Sequence, residues 1–295
     1  MLIKRKEFLQ VGSLATTSFM LPKFLKAFEK PMMVPPGNKV VVVIQLSGGN
    51  DGLNTVIPVR NDIYYKERPV LGIAKEKALL LTDETGLNPA LEAFKGFYED
   101  GSLGILNSVG YPNPDRSHFR SMDIWHSASN SNEYINTGWV GRYLDAQCKG
   151  CDKPTQAVEI DDVLSLALKG EHNKGLAFKD PRRLYNISNG PFIRDVNSDH
   201  KAGEETIDYL YKTMSETLSS AEYIYKQSRV HPTDQTYPNT ELGKDLKTIA
   251  SLIFSDINTK VYYVSLGSFD THVNQDNQQK RLFTELNDAV KAFVA

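Results

Sequence analysis

The sequence predicts an α/β fold, a mainly parallel sheet flanked by helices, on three observations. Residues 39–54, KVVVVIQLSGGNDGLN, open with five consecutive β-branched residues from Val40 to Ile44, then Leu46, and end in a glycine pair and Asn50-Asp51-Gly52. Such an apolar run without alternation reads as a strand covered on both faces, which is the habit of parallel sheets. Residues 260–266, KVYYVSL, make a second such run and empty into Gly267-Ser268-Phe269-Asp270-Thr271-His272. Between the two stand long stretches with apolar residues at helical spacing.

In chain order, residues 1–30 read as an address. Lys4-Arg5-Lys6 form a positive start, and residues 8–21 are modestly apolar up to Pro22, too short and too rich in Ser and Thr to span a membrane. An amphipathic N-terminal helix is the alternative. Residues 31–38, with Pro35-Pro36-Gly37, form a linker into a domain expected over 39–295. Residues 59–83 read as irregular. Residues 88–99 read as a helix, with Pro89 in its first turn and Leu91, Phe94 and Tyr98 on one face. Residues 103–109, LGILNSV, read as a second buried strand, which would complete a βαβ crossover.

A dense polar loop follows, Gly110-Tyr111-Pro112-Asn113-Pro114-Asp115-Arg116-Ser117-His118, and a helix is expected from His118 to about residue 129. Helices are also expected over 137–147, 204–228, 240–255 and 276–294, and a third strand over 155–160. Asp161-Asp162 reads as a solvated or capping pair, and residues 179–203 as an exposed excursion.

The chain has 295 residues, 40% hydrophobic and 24% charged, enough for one large α/β domain or two small ones. Its net charge of −2, with no basic block beyond the extreme N-terminus, gives no ground for a nucleic acid or an acidic membrane as partner. Cys148 and Cys151 form one C-x-x-C with no second ligand pair nearby, so a surface thiol pair or a small disulfide fits better than a zinc knuckle or a redox centre.

Three loops carry candidate chemistry. Asp51 follows the first strand, where α/β proteins place ligands, with Gly48, Gly49 and Gly52 allowing close approach; it is either a ligand-holding acid or a turn cap. Ser117 stands at the expected N-cap of a helix, where free N–H groups favour an anion. It is either a plain cap or a nucleophile, with Arg116, His118 and Arg120 nearby to steady an oxyanion and Ser121 as substitute. Asp270 and His272 are two apart at the end of an apolar strand, a spacing that suits Zn²⁺ or a related cation and also arises as a capping turn.

The blocks KVVVVIQLSGGNDGLNTVIPV, GYPNPDRSHFRSMDIW and VYYVSLGSFDTHVNQ closely resemble three signature blocks of the bacterial family known as domain of unknown function 1501, over essentially the whole chain from residue 38. That family resembles a branch of the alkaline phosphatase and sulfatase superfamily, whose members are often exported. Arg5-Lys6-Glu7-Phe8-Leu9 resembles the twin-arginine export signal, with lysine for the second arginine. The resemblance implies an alkaline-phosphatase-like fold and a periplasmic or extracellular location. It implies a metal-dependent hydrolase of an anionic phosphate or sulfate ester using divalent ions, zinc or magnesium and calcium. Carried over by position, Asp51 would be a ligand of one metal, Asp270 and His272 ligands of the other, and Ser117 the nucleophile. Asn50, His118 and Ser121 are further candidates, and Ser268 stands where the family often has glycine. The superfamily also supplies a later Asp-His pair and a further histidine, so a sequence ending at Ala295 is expected to be incomplete at its C-terminus. The alternative function is a non-catalytic exported binding or assembly module that keeps the fold.

Overall fold

The structure, a computed structural model, describes residues 39–147, 154–191, 193, 205–228 and 233–295. The expected signal and linker over 1–38 and the Cys148/Cys151 pair lie outside the described residues. The contacts divide the chain into two compact units, one formed by Gly52–Val109, the other by the strand segment ending at Asp51 together with Gly110–Ala295.

The second unit holds a parallel four-stranded sheet, so the α/β class is met. Its order is β1 (Val41–Leu46), β7 (Val261–Leu266), β5 (Ala157–Glu159) and β6 (Leu176–Ala177). The strands that fall between β1 and β5 in the chain belong to the other unit. The register of β1 on β7 runs from Val41 opposite Val261 to Leu46 opposite Leu266, so both strands end level and their loops leave side by side. Alternation gives β7 two apolar faces. Val261 and Tyr263 join Val140, Leu144, Ala157 and Leu168 in one buried cluster. Tyr262 and Val264, also fully buried, point the other way. β7 also contacts the helix Glu241–Phe254, which in turn packs on the helix Gln275–Val294.

The remaining helices of this unit start where local chemistry permits. Ser117 caps His118–Ser127 and Thr240 caps Glu241–Phe254, each side chain accepting a backbone N–H three residues on. Trp139–Gln147 and Glu205–Gln227 match the expected helices to within two residues. The expected excursion over 179–203 contains a helix, Pro181–Ser188, opened by an Asp180 cap and by proline at the first position, a start signal that outweighed the polar composition. Asp145 ties the preceding turn: its carboxylate accepts N–H groups from Glu171, His172 and Asn173 and from the Asn173 amide.

In the first unit three short strands, β2 (Val56–Ile57), β4 (Gly86–Leu87) and β3 (Leu79–Leu80), form an antiparallel sheet in that order. Two expectations are corrected here. Residues 59–83 are not all irregular, since Asn61 caps a helix at Asp62–Glu67 and Tyr64 enters the core with Ile57 and Val59. Residues 103–109 are not a strand, and no βαβ crossover forms through them. Leu106 is 85% exposed and Ser108 takes a left-handed φ of 61°, and an apolar run without a ladder partner stays irregular. The helix before it begins at Glu92, because Asn88 is drawn away, its amide donating to the Asn54 carbonyl at 2.9 Å. Asn54 itself is buried, bonding Leu71 and Tyr64.

No helix among the described residues is long and apolar enough to cross a membrane.

Glu159 on β5 offers a stability test. It is 3% exposed, and burial raises its carboxyl to about pKa 7 despite a hydrogen bond from the Ser165 N–H at 2.7 Å. A carboxyl that binds its proton more tightly folded than unfolded makes stability fall as pH rises from its unfolded value through 7. Glu159→Gln should remove that fall. We expect it to stabilise the protein by about 2 kcal/mol at pH 8 and to change little at pH 4, as read by urea unfolding at both values.

Candidate metal centre

The level ends of β1 and β7 set the site. Ser47 donates its N–H to the Leu266 carbonyl at 3.0 Å, and Phe269 donates back to the Ser47 carbonyl at 3.2 Å, so the two loops run together past the strand ends. This contact needs glycine. Gly48 has φ 101°, and a Cβ there would stand 2.9 Å from the Asp270 nitrogen. Gly49 has φ 93°, and a Cβ would stand 2.5 Å from Cε1 of His118. The paired glycines therefore form a shelf on which the Asp270 backbone and the His118 ring both rest.

His118 is the first residue of its helix, and a half-buried side chain of β1 fixes that helix to the sheet. The Gln45 amide oxygen, on β1, accepts both Nε2–H of His126 at 2.9 Å and the hydroxyl of Tyr263, on β7, at 2.8 Å. His126 and Tyr263 also meet edge to face, their ring centroids 6.1 Å apart. Burial lowers the His126 pKa, against the opposing charge of Asp123, so the neutral ring is favoured. One side-chain oxygen thus joins β1, β7 and the helix that starts at Ser117.

Three donors converge on the rim. Nε2 of His118 lies 3.1 Å and Nε2 of His272 lies 2.7 Å from the same Asp270 Oδ1. The ligand atoms of the three residues all lie within 4.8 Å of one another. Two imidazoles and a carboxylate are a donor set that zinc accepts, and tetrahedral ligands about 2.0–2.2 Å from the ion stand roughly 3.3–3.6 Å apart. Small side-chain rotations close that gap, and the partly exposed side chains leave a face open, so the residues present fit a divalent ion. His118 enters this group although sequence spacing offered it only as a neighbour of Ser117.

The other candidates lie as follows. Asp51 is on the same rim but outside the three-donor group; its Oδ2 accepts the Gln275 amide at 2.7 Å. Asn50 and the Asp51 carbonyl face the Gln279 amide at 3.5 and 3.3 Å. Ser117 is exposed, its Oγ accepting the Arg120 N–H over a long 3.4 Å. Ser121 is tied to Tyr111 at 2.9 Å and to the Asp115 carbonyl at 3.1 Å. Arg116 is exposed on the loop. Arg120 turns inward. It is 9% exposed, donates to the carbonyls of Asn130, Ser131 and Glu133, and lies over the Tyr134 ring at 3.9 Å. Its guanidinium therefore holds the 130–134 loop and is not presented to a ligand at the rim. Ser268 has φ 72°, a backbone region that favours glycine.

Sequence reasoning did not single out Gln45, His126, Gln275 and Gln279. A polar Gln45 inside an apolar strand was a visible signal; the two glutamines on a helix face were not.

Comparison with family models, with curated proteins and with solved structures returns no match to this chain.

The glycine shelf gives a direct test. Gly49→Ala must accept an unfavourable positive φ and displace the His118 ring, and we expect a loss of about 1–3 kcal/mol in stability. The His118 ring signals should also shift in the NMR spectrum. Unchanged stability with an unmoved ring contradicts the shelf.

Proposed function

We propose that this chain is an exported, metal-dependent hydrolase of a phosphate or sulfate ester on an alkaline-phosphatase-like fold. The convergence of His118, Asp270 and His272 beside a serine-capped helix start carries this reading. Its support is the donor set, its place at the carboxyl ends of parallel strands, and the signature blocks that contribute all three residues.

A divalent ion, when bound, polarises an ester oxygen and lowers the pKa of a nearby hydroxyl. His118, Asp270 and His272 hold it. Ser117 brings a hydroxyl to the residue next to His118, and its capping bond of 3.4 Å is weak enough to give up as the hydroxyl turns to a substrate. The first N–H groups of the helix and its dipole favour an anionic ester oxygen at that end. Arg116, exposed on the adjoining loop, adds positive charge for the substrate. Arg120 positions the loop behind the helix.

The second reading, a non-catalytic exported binding or assembly module, draws on the openness of the centre. The His272 side chain is 78% exposed, whereas catalytic groups gain strength where water is excluded.

Hydrolysis of p-nitrophenyl phosphate and p-nitrophenyl sulfate by the zinc-loaded chain separates the readings. We expect turnover that a chelator abolishes and zinc restores, and that falls about 10³-fold or more in Ser117→Ala at unchanged metal content. The double substitution Asp270→Ala and His272→Ala should lose the metal. Unchanged metal content in that variant contradicts the centre, and a metal-loaded chain that cleaves neither ester supports the module.

A further inference from the structure

Resting on the metal-dependent reading, the geometry points to a centre that takes one ion per chain, that prefers zinc and its neighbours to magnesium and calcium, and that does not use Asp51 as a ligand. Asp51 is the residue that the signature blocks would make a metal ligand, yet it stands outside the group of donors that lie within 4.8 Å of one another. Oδ2 accepts the Gln275 amide at 2.7 Å, and Gln275 opens the helix Gln275–Val294. One turn later Gln279, 4% exposed, donates to the Asp51 carbonyl at 3.3 Å. A buried side chain thus fixes the backbone of Asp51 while an adjacent one fixes its carboxylate. These two bonds hold Asp51 in place on the rim, apart from the three grouped donors.

The group that remains consists of two imidazole nitrogens and one carboxylate oxygen, and it is the one group of three such donors among the described residues. Imidazole suits zinc and the other borderline cations, whereas calcium takes six to eight oxygens and magnesium an octahedron rich in oxygen and water. The amides of Gln275 and Gln279 bring N–H donors to the Asp51 loop. Those donors suit the carboxylate and the carbonyl oxygen that they meet.

Equilibrium dialysis against zinc, cobalt, magnesium and calcium, followed by metal analysis of the intact chain, tests this without any turnover assay. We expect one zinc or one cobalt per chain, with neither magnesium nor calcium displacing it at millimolar concentration. Asp51→Asn keeps an acceptor for Gln275, so zinc affinity by calorimetric titration should stay within about threefold, short of the roughly 10–100-fold that even outer partners of metal ligands contribute. His118→Ala should weaken zinc binding beyond that range while circular dichroism shows the fold retained. Two zinc ions per chain, displacement by magnesium or calcium, or loss of zinc in a folded Asp51→Asn protein overturns this inference and leaves the metal-dependent reading standing. A wild-type chain that binds no zinc overturns both. If a variant fails to fold, the wild-type stoichiometry and the competition still decide.

Discussion

The parallel pairing of β1 with β7 is the constraint on which the rest of the rim depends. Because Leu46 and Leu266 face each other, the chain leaves both strands at one level, and the loops must pass within backbone contact. A slip of one residue would turn Gln45 to the opposite face and take its amide away from Tyr263 and His126. The part-buried hydrogen bonds at Gln45 therefore act as a register lock as well as a tether for the helix bearing Ser117 and His118. Leaving His126 and Tyr263 unpaired beneath the sheet costs about 1–3 kcal/mol for each stranded group, which makes the slipped register unfavourable.

From that lock upward, each step narrows the position of the next group. The helix start places His118 on the glycine shelf, the shelf admits the Asp270 backbone, and the turn through Ser268 brings His272 to the carboxylate that His118 already faces. The left-handed Ser268 is a local strain of the kind that surrounding structure must hold in place. Where a cation would sit, two imidazoles share one carboxylate oxygen. Nearby, the same rim uses amide side chains from Gln275 and Gln279 to hold an acid apart. The rim thus gathers one acid with two histidines and secures the other with amides.

Much of this was legible in the sequence where strong local signals agree with the tertiary fold. The β-branched run before Gly48, the apolar run before Gly267 and the serine ahead of His118 each announced an element and its end. Residues 103–109 carried the same apolar signal and did not become a strand, because strand formation is decided by a partner that composition does not reveal. The helix at Asp62–Glu67 rested on one capping asparagine within an otherwise irregular stretch. At the site, Asp270 and His272 were legible as a pair because two residues on one turn move together. His118 was visible as a candidate, but its partnership with a residue 152 positions away was not. Arg120 shows the converse: adjacency to Ser117 suggested an anion clamp, while helical geometry turns its side chain into the protein.

The central claim is that His118, Asp270 and His272 together form a metal centre. X-ray absorption at the zinc edge of the zinc-loaded chain tests it most directly. The account predicts a first shell of nitrogen and oxygen at about 2.0–2.1 Å, with outer scattering from two imidazoles that drops to one in His118→Ala. A first shell of oxygen alone, or an imidazole count that does not change when His118 is removed, would contradict it.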